Sequence, residues 1–218
     1  MTAPRIALVG AVAAAAPPAE RAFAAEYPDA ELWNLLDDRL ISDALSAGEV
    51  TAELAERMTA LIDYAIGHGA AGVLLTCSMY SPVAHAVAAR AQVPVLASDD
   101  AAFADAAAGG FGRIALVASL AVPLADARAR FDAFLAGHGD GRLQVVSVLA
   151  ARAAVVTGDA AAQAVAIAEA LGETAGIDAV LLAQYSISPA AAALSERLGI
   201  PVLAGPARAA ARMRDLLA

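Results

Sequence analysis

The stretch Val73-Leu74-Leu75-Thr76-Cys77-Ser78-Met79-Tyr80-Ser81-Pro82 returns 107 residues later as Val180-Leu181-Leu182-Ala183-Gln184-Tyr185-Ser186-Ile187-Ser188-Pro189, with Cys77 falling on Gln184. The match runs without gaps to Ser98 and Gly205, and 12 of its 26 positions are identical. A second string, Arg5-Ile6-Ala7-Leu8-Val9, recurs letter for letter as Arg113-Ile114-Ala115-Leu116-Val117, a shift of 108. Two matches at nearly one offset exceed what an alanine-rich composition produces by chance, so the chain reads as a duplication. Short apolar blocks closed by turn or helix-start residues are the signature of strands buried on both faces.

Working outward, strands are expected near 5–10, 30–35, 72–76 and 94–97, with helical stretches near 17–27, 51–68 and 82–91. The second half repeats the plan: strands near 113–118, 143–149, 178–183 and 201–204, helices near 121–136, 159–175 and 189–198. This alternation predicts an α/β fold of two pseudo-symmetric halves, each a four-stranded, mainly parallel sheet flanked by helices. The halves are placed at 1–98 and 99–205, with Asp99-Asp100 opening the passage and Gly109-Gly110 closing it, and with a C-terminal helix over 206–218 packing back on the first half. Parallel sheets bind ligands at the carboxyl ends of their strands, so the active site is expected in the cleft between the halves.

The chain has 218 residues, a net charge of −9 and 60% hydrophobic residues, which excludes disorder and leaves no basic field for nucleic acid. All 14 basic residues are arginine, so neither a lysine Schiff base to pyridoxal phosphate nor a Walker-type lysine is available. Cys77 is the only cysteine. His68, His85 and His138 have no metal-ligand spacing, so no metal and no cofactor are expected. Residues Met1 to Ala19 imitate a secretory signal, but the same strand string recurs at 113–117, so both copies read as strands and a cytoplasmic location is expected, with no membrane partner. The large apolar content favours a homo-oligomer.

Cys77 and Gln184 sit at equivalent strand ends, each followed by a Ser-Pro helix start in which Ser81 and Ser188 are expected as N-caps. Helix N-termini there would attract a carboxylate and lower the pKa of a nearby thiol, although a lone cysteine is equally a buried structural residue. Ser78, Met79, Tyr80, Tyr185 and Ser186 lie in the same loops as candidate substrate contacts, the hydroxyls doubling as helix caps. Gly10 and Asn34 follow neighbouring strands, while Asp37 and Asp38 are expected to open a solvated loop. His85 is either a partner for the thiol or a surface residue. His68 and His138, in Gly-His-Gly turns, read as helix C-caps.

The Leu-Leu-Thr-Cys-Ser strand end, its repetition, and Arg113 to Ser119 together resemble the aspartate/glutamate racemase superfamily over essentially the whole chain, as does Trp33-Asn34-Leu35-Leu36-Asp37-Asp38. The superfamily spans glutamate, aspartate and hydantoin racemases, maleate isomerase and arylmalonate decarboxylase. The resemblance implies a cofactor-independent enzyme acting on a small carboxylate at the carbon α to the carboxyl group, with Cys77 as acid, base or nucleophile. It also implies that Ser119 stands where a hydroxyl holds substrate carboxylate. The racemases use one cysteine from each half; here the second is Gln184, whose amide cannot exchange a proton near neutrality. The resemblance therefore leaves open one-base decarboxylation or isomerisation, thiol addition to a conjugated double bond, racemisation with another residue on the opposite face, and a non-catalytic binder. Tyr185 would serve as that other acid only if its pKa were strongly lowered.

Overall fold

The computed structural model describes residues 3–138, 141–156, 158–172, 174 and 176–218, which form two compact units, 1–98 with 206–218 and 99–205. The first contains β1 (Arg5–Gly10), α1 (Ala16–Glu26), β2 (Glu31–Leu36), α2 (Arg39–Ala47), α3 (Ala52–Gly67), β3 (Gly72–Leu75), α4 (Ser81–Ala88) and β4 (Val95–Leu96). The second contains α5 (Asp100–Ala108), β5 (Arg113–Ala118), α6 (Ala121–His138), β6 (Gln144–Leu149), α7 (Ala160–Leu171), β7 (Ala179–Leu182), α8 (Ala191–Leu198) and β8 (Val202–Ala204). The chain then returns to the first unit with α9 (Gly205–Leu217). There Arg214 donates from Nη1 to the Glu26 carbonyl at 2.9 Å and Met213 packs over Gly72.

Each unit holds one four-stranded, wholly parallel sheet, in the order β2-β1-β3-β4 and β6-β5-β7-β8. Register repeats with the order. Ala7 pairs with Val73 and Ala115 with Val180; Leu74 pairs with Leu96 and Leu181 with Leu203. At the carboxyl edge Thr76 N donates to Val9 O at 2.9 Å, and Ala183 N donates to Val117 O at the same distance. The offsets found in the sequence are thus the offsets of the hydrogen-bond ladder.

The central strands explain the fold. In β5, Ala115 and Val117 face one side of the sheet with Val180 and Leu182 against α7 and α8, while Ile114 and Leu116 face the other with Leu181 against α5 and α6. A strand covered on both sides must be apolar where it is buried, and β5 is apolar from Ile114 to Ala118 after the half-buried Arg113. Edge strands β2 and β6 are largely exposed instead. Phe103, Phe131 and Phe134 stack the α5–α6 layer, with ring centroids at 4.8 and 6.0 Å, and the Arg130 guanidinium lies over Phe103.

Two helices occupy stretches to which the sequence reading assigned none. The solvated loop after Asp37 is α2, which buries Leu40 and Ala44 one turn apart, carries an Arg39–Asp43 ion pair at i,i+4, and ends on Gly48 at φ +81°. Asp37 is not a free loop carboxylate: Arg57 on α3 binds Asp37 at 2.5 Å and Asp43 at 3.0 Å. The passage between the halves is α5, which feeds Ala102, Phe103 and Ala106 into the second core. Among the described residues, no helix is long and apolar enough to cross a membrane.

One residue pair records how the duplicated strand ends diverged. A Cβ on Gly10 would lie 2.7 Å from Thr76 Oγ1. The corresponding pair in the second unit is Ala118 and Ala183, so the side chain is larger on one strand where it is smaller on the other. Gly10→Ala is expected to cost ~1–3 kcal/mol in urea denaturation and to become nearly neutral in a Thr76→Ala background; additive costs would show that the two atoms do not compete for one space.

Candidate active site

Cys77 leaves β3 in an extended conformation (φ −117°, ψ 113°), and its backbone carbonyl accepts from Tyr80 N. The chain then turns at once into a short 3-10 segment, Ser78–Tyr80, which runs directly into α4. Cys77, Ser78, Met79 and Tyr80 are all buried. The expected cap is displaced: Tyr80 holds the cap position, no side chain caps the helix, and Ser81 N already donates to Ser78 O. The leading N–H groups, those without partners inside the turn, are therefore those of Ser78 and Met79, immediately after the thiol.

Tyr80 fixes this loop from below. Its hydroxyl donates to the Leu40 carbonyl at 3.0 Å, tying the cysteine turn to α2. Burial first, and then the negative charge of the Cys77 thiolate, push the phenol far above the ordinary tyrosine pKa. It is a neutral anchor. His85 is exposed on α4, and His68 and His138 use Nδ1 to donate to the carbonyls of Tyr64 and Phe134 while stacking on the same rings.

Of the other candidates in the first unit, Gly10 ends β1, whereas Asn34, expected after a strand end, lies within β2 and pairs with Leu8. Gly10, Asn34 and Thr76 help line a cavity of ≈ 220 Å³, whose remaining wall is apolar: Leu8, Val12, Ala13, Ala16, Leu35 and Leu36. Asn34 is held there by Glu20, whose Oε1 accepts from its Nδ2 at 2.6 Å.

In the second unit Gln184 repeats the extended geometry of Cys77 (φ −140°, ψ 138°) ahead of a 3-10 segment, Tyr185–Ala190. Its Oε1 accepts from Ser119 N at 2.6 Å and from Ser119 Oγ at 3.0 Å, so the orientation of the amide is determined by two donors on one oxygen. Ser188 does not cap α8; its hydroxyl donates to Tyr185 O at 2.8 Å. The Ser186 carbonyl accepts from Gln163 Nε2 at 2.9 Å, which pins this loop to α7. Tyr185 is buried with no hydrogen bond to its hydroxyl among the described residues, and burial, then Asp99 and Asp100, raise its pKa well above the ordinary value. The shift opposes the lowering that a tyrosine acid requires.

Comparison with known proteins decides the family. Residues 7–213 match the model of the Asp/Glu/hydantoin racemase family. The chain belongs to that family. Among solved structures, a glutamate racemase from Bacillus anthracis superposes with a TM-score of 0.76 at 14% identity, covering 100% of this chain and 82% of that one. An allantoin racemase from Klebsiella pneumoniae gives 0.71 at 18% identity, covering 98% and 87%. A liganded double mutant of arylmalonate decarboxylase, with one glycine changed to cysteine and one cysteine to serine, gives 0.60 at 22%, covering 98% and 92%. Comparison with curated protein sequences gives no significant match.

In this member of the racemase family several positioning residues escaped the sequence reading. Gln163 is fully buried in an otherwise apolar stretch of α7, and that isolation was the available signal. Asp99 and Asp126 flank Arg130, which remains protonated because the two carboxylates outweigh its burial; no local pattern joins residues 99 and 130. Leu40 contributes only a carbonyl, which no sequence displays.

Tyr80→Phe is expected to lower stability by ~1–2 kcal/mol near neutral pH, because the Leu40 carbonyl loses its donor. The unfolded chain releases the tyrosine proton near pH ~10 while the folded chain keeps it, so stability falls as pH rises further. Removing the phenol should flatten that fall by ~1.4 kcal/mol per pH unit. Urea midpoints on both sides of pH ~10 check both effects, and an unchanged alkaline slope would contradict the assignment.

Proposed function

We propose that this chain is a cofactor-independent enzyme acting at the carbon α to a carboxylate, with Cys77 as its single proton-transfer group. The observation that carries the reading is the pairing across the duplication: a buried thiol at the end of β3 and, at the matching end of β7, an amide oxygen already committed to Ser119. Family membership supports chemistry of this class.

The proposed step has two forms. As thiolate, Cys77 takes the α-proton, leaving an enediolate whose oxygens accept from the loop N–H groups of Ser78 and Met79. As thiol, it protonates an enediolate formed when a malonate-type substrate releases carbon dioxide; the C–C electron pair enters the enediolate, and water then restores the sulfur proton. Gln184, which stands in the repeat where Cys77 does, has no acidic proton to supply, which favours one-base chemistry over symmetrical racemisation. The double mutant of arylmalonate decarboxylase, which gains one cysteine and loses another, is similar in fold. The apolar wall of the cavity beside Thr76 suits a substituent that is alkyl or aryl, not charged.

The test is proton NMR in deuterium oxide with substituted malonates, α-amino acids and hydantoins, comparing wild type with Cys77→Ala. One compound is expected to lose carbon dioxide or to gain deuterium in one enantiomer only, with a loss of at least ~10²–10⁴-fold in the variant. Deuterium in both enantiomers would establish two-sided exchange. No reaction, or equal reaction by the variant, would favour a binder of small carboxylates on the same fold.

A further inference from the structure

We propose that Gln184 is a built-in ligand at the carboxyl end of β5, its amide oxygen filling the place that an anionic oxygen would take against the two donors of Ser119. The geometry is that of an oxyanion hole already in use. A backbone N–H and a hydroxyl of one buried residue converge on a single oxygen at 2.6 and 3.0 Å. Donors so placed favour a full negative charge over the partial charge of an amide carbonyl.

The plug is held from behind. Gln184 O accepts from Ile187 N at 3.3 Å, which closes the turn on itself, and Gln163, fully buried, donates from Nε2 to Ser186 O at 2.9 Å, which ties that turn to α7. The arrangement also belongs to this unit alone. In the first unit Ala11 stands where Ser119 does and Cys77 where Gln184 does, so neither the hydroxyl donor nor the amide acceptor has a counterpart. The two units have divided the labour: one keeps the thiol, the other keeps an anion site and closes it with its own side chain. A carboxylate oxygen reaches Ser119 only by displacing Gln184, which makes Gln184 a specificity residue that discriminates against ligands needing that site.

The inference concerns binding and stands apart from the reaction proposed for Cys77. It is tested with acetate titrated into the ¹⁵N-labelled full chain, reading the Ser119 amide resonance in wild type, Gln184→Ala and the Gln184→Ala/Ser119→Ala double variant. Gln184→Ala is expected to bind acetate at least ~10-fold more tightly than wild type, with a saturable shift at residue 119 that weakens in the double variant. Equal acetate affinity in wild type and Gln184→Ala overturns the proposal. Gln184→Glu decides the matter if the alanine variant folds poorly: the introduced carboxyl should titrate below the ordinary glutamate value of ~4.3, because both Ser119 donors stabilise its charged form. A carboxyl titrating at or above that value overturns the proposal too. Acetate binding with no turnover of any substrate would leave the plug standing while removing the enzyme reading.

Discussion

Everything distinctive in each unit depends on one constraint: the central pair of parallel strands is buried on both faces, so its backbone groups can be satisfied only by the ladder. Parallel strands all end on the same edge. At that edge β1 and β3 stop at Gly10 and Leu75, and β5 and β7 at Ala118 and Leu182. Within two residues of those ends come the first polar or nucleophilic side chains of the central strands, Thr76, Cys77, Ser119 and Gln184. The candidate functional side chains gather there because that is where the sheet ceases to dictate residue type.

That separation of duties explains why the duplication kept its register while its edge diverged. Within the strands every side chain is packed into one core layer or the other, so a change of register would disturb both, and Val73 and Val180 hold the same pairing. Beyond the strands no such penalty applies. Gly10 with Thr76 became Ala118 with Ala183, and Ala11 with Cys77 became Ser119 with Gln184. In the first pair bulk lost from one strand is partly regained on the other; in the second, a thiol stands where the other unit has a hydrogen-bonded amide. Fold and function thus separate along a boundary about one residue wide.

The strands and most helices were legible because burial on both faces forces a continuous apolar run, which a sequence displays directly. Helix α2 was not. Its apolar positions, Leu40 and Ala44, sit among Arg39, Ser42 and Asp43, and Arg57 from α3 pairs with Asp37 and Asp43, a contact that no local pattern announces. The N-cap expectation at Ser81 and Ser188 failed for a related reason: the 3-10 turns ahead of α4 and α8 already occupy the N–H groups that a cap would satisfy. The positions of Cys77 and Gln184 could be read from the repeat, whereas the engagement of Ser119 by Gln184 links residues 65 positions apart and follows only from the topology.

The inventory of protons at the two strand ends bears on which group can carry chemistry. Tyr80 and Tyr185 are both driven upward in pKa by burial, Tyr80 further by the thiolate beside it and Tyr185 by Asp99 and Asp100. Neither exchanges a proton near neutrality. Gln184 has no acidic proton to give, and Ser119 spends its hydroxyl hydrogen on Gln184. Lowering the pKa of Tyr80 would require removing it from the core or from Cys77, and either change would untie α2 from the cysteine turn. The same contact that makes Tyr80 a sound anchor therefore disqualifies it as an acid, and among the described residues of these loops the thiol of Cys77 is the group whose ordinary ionisation lies closest to neutral pH.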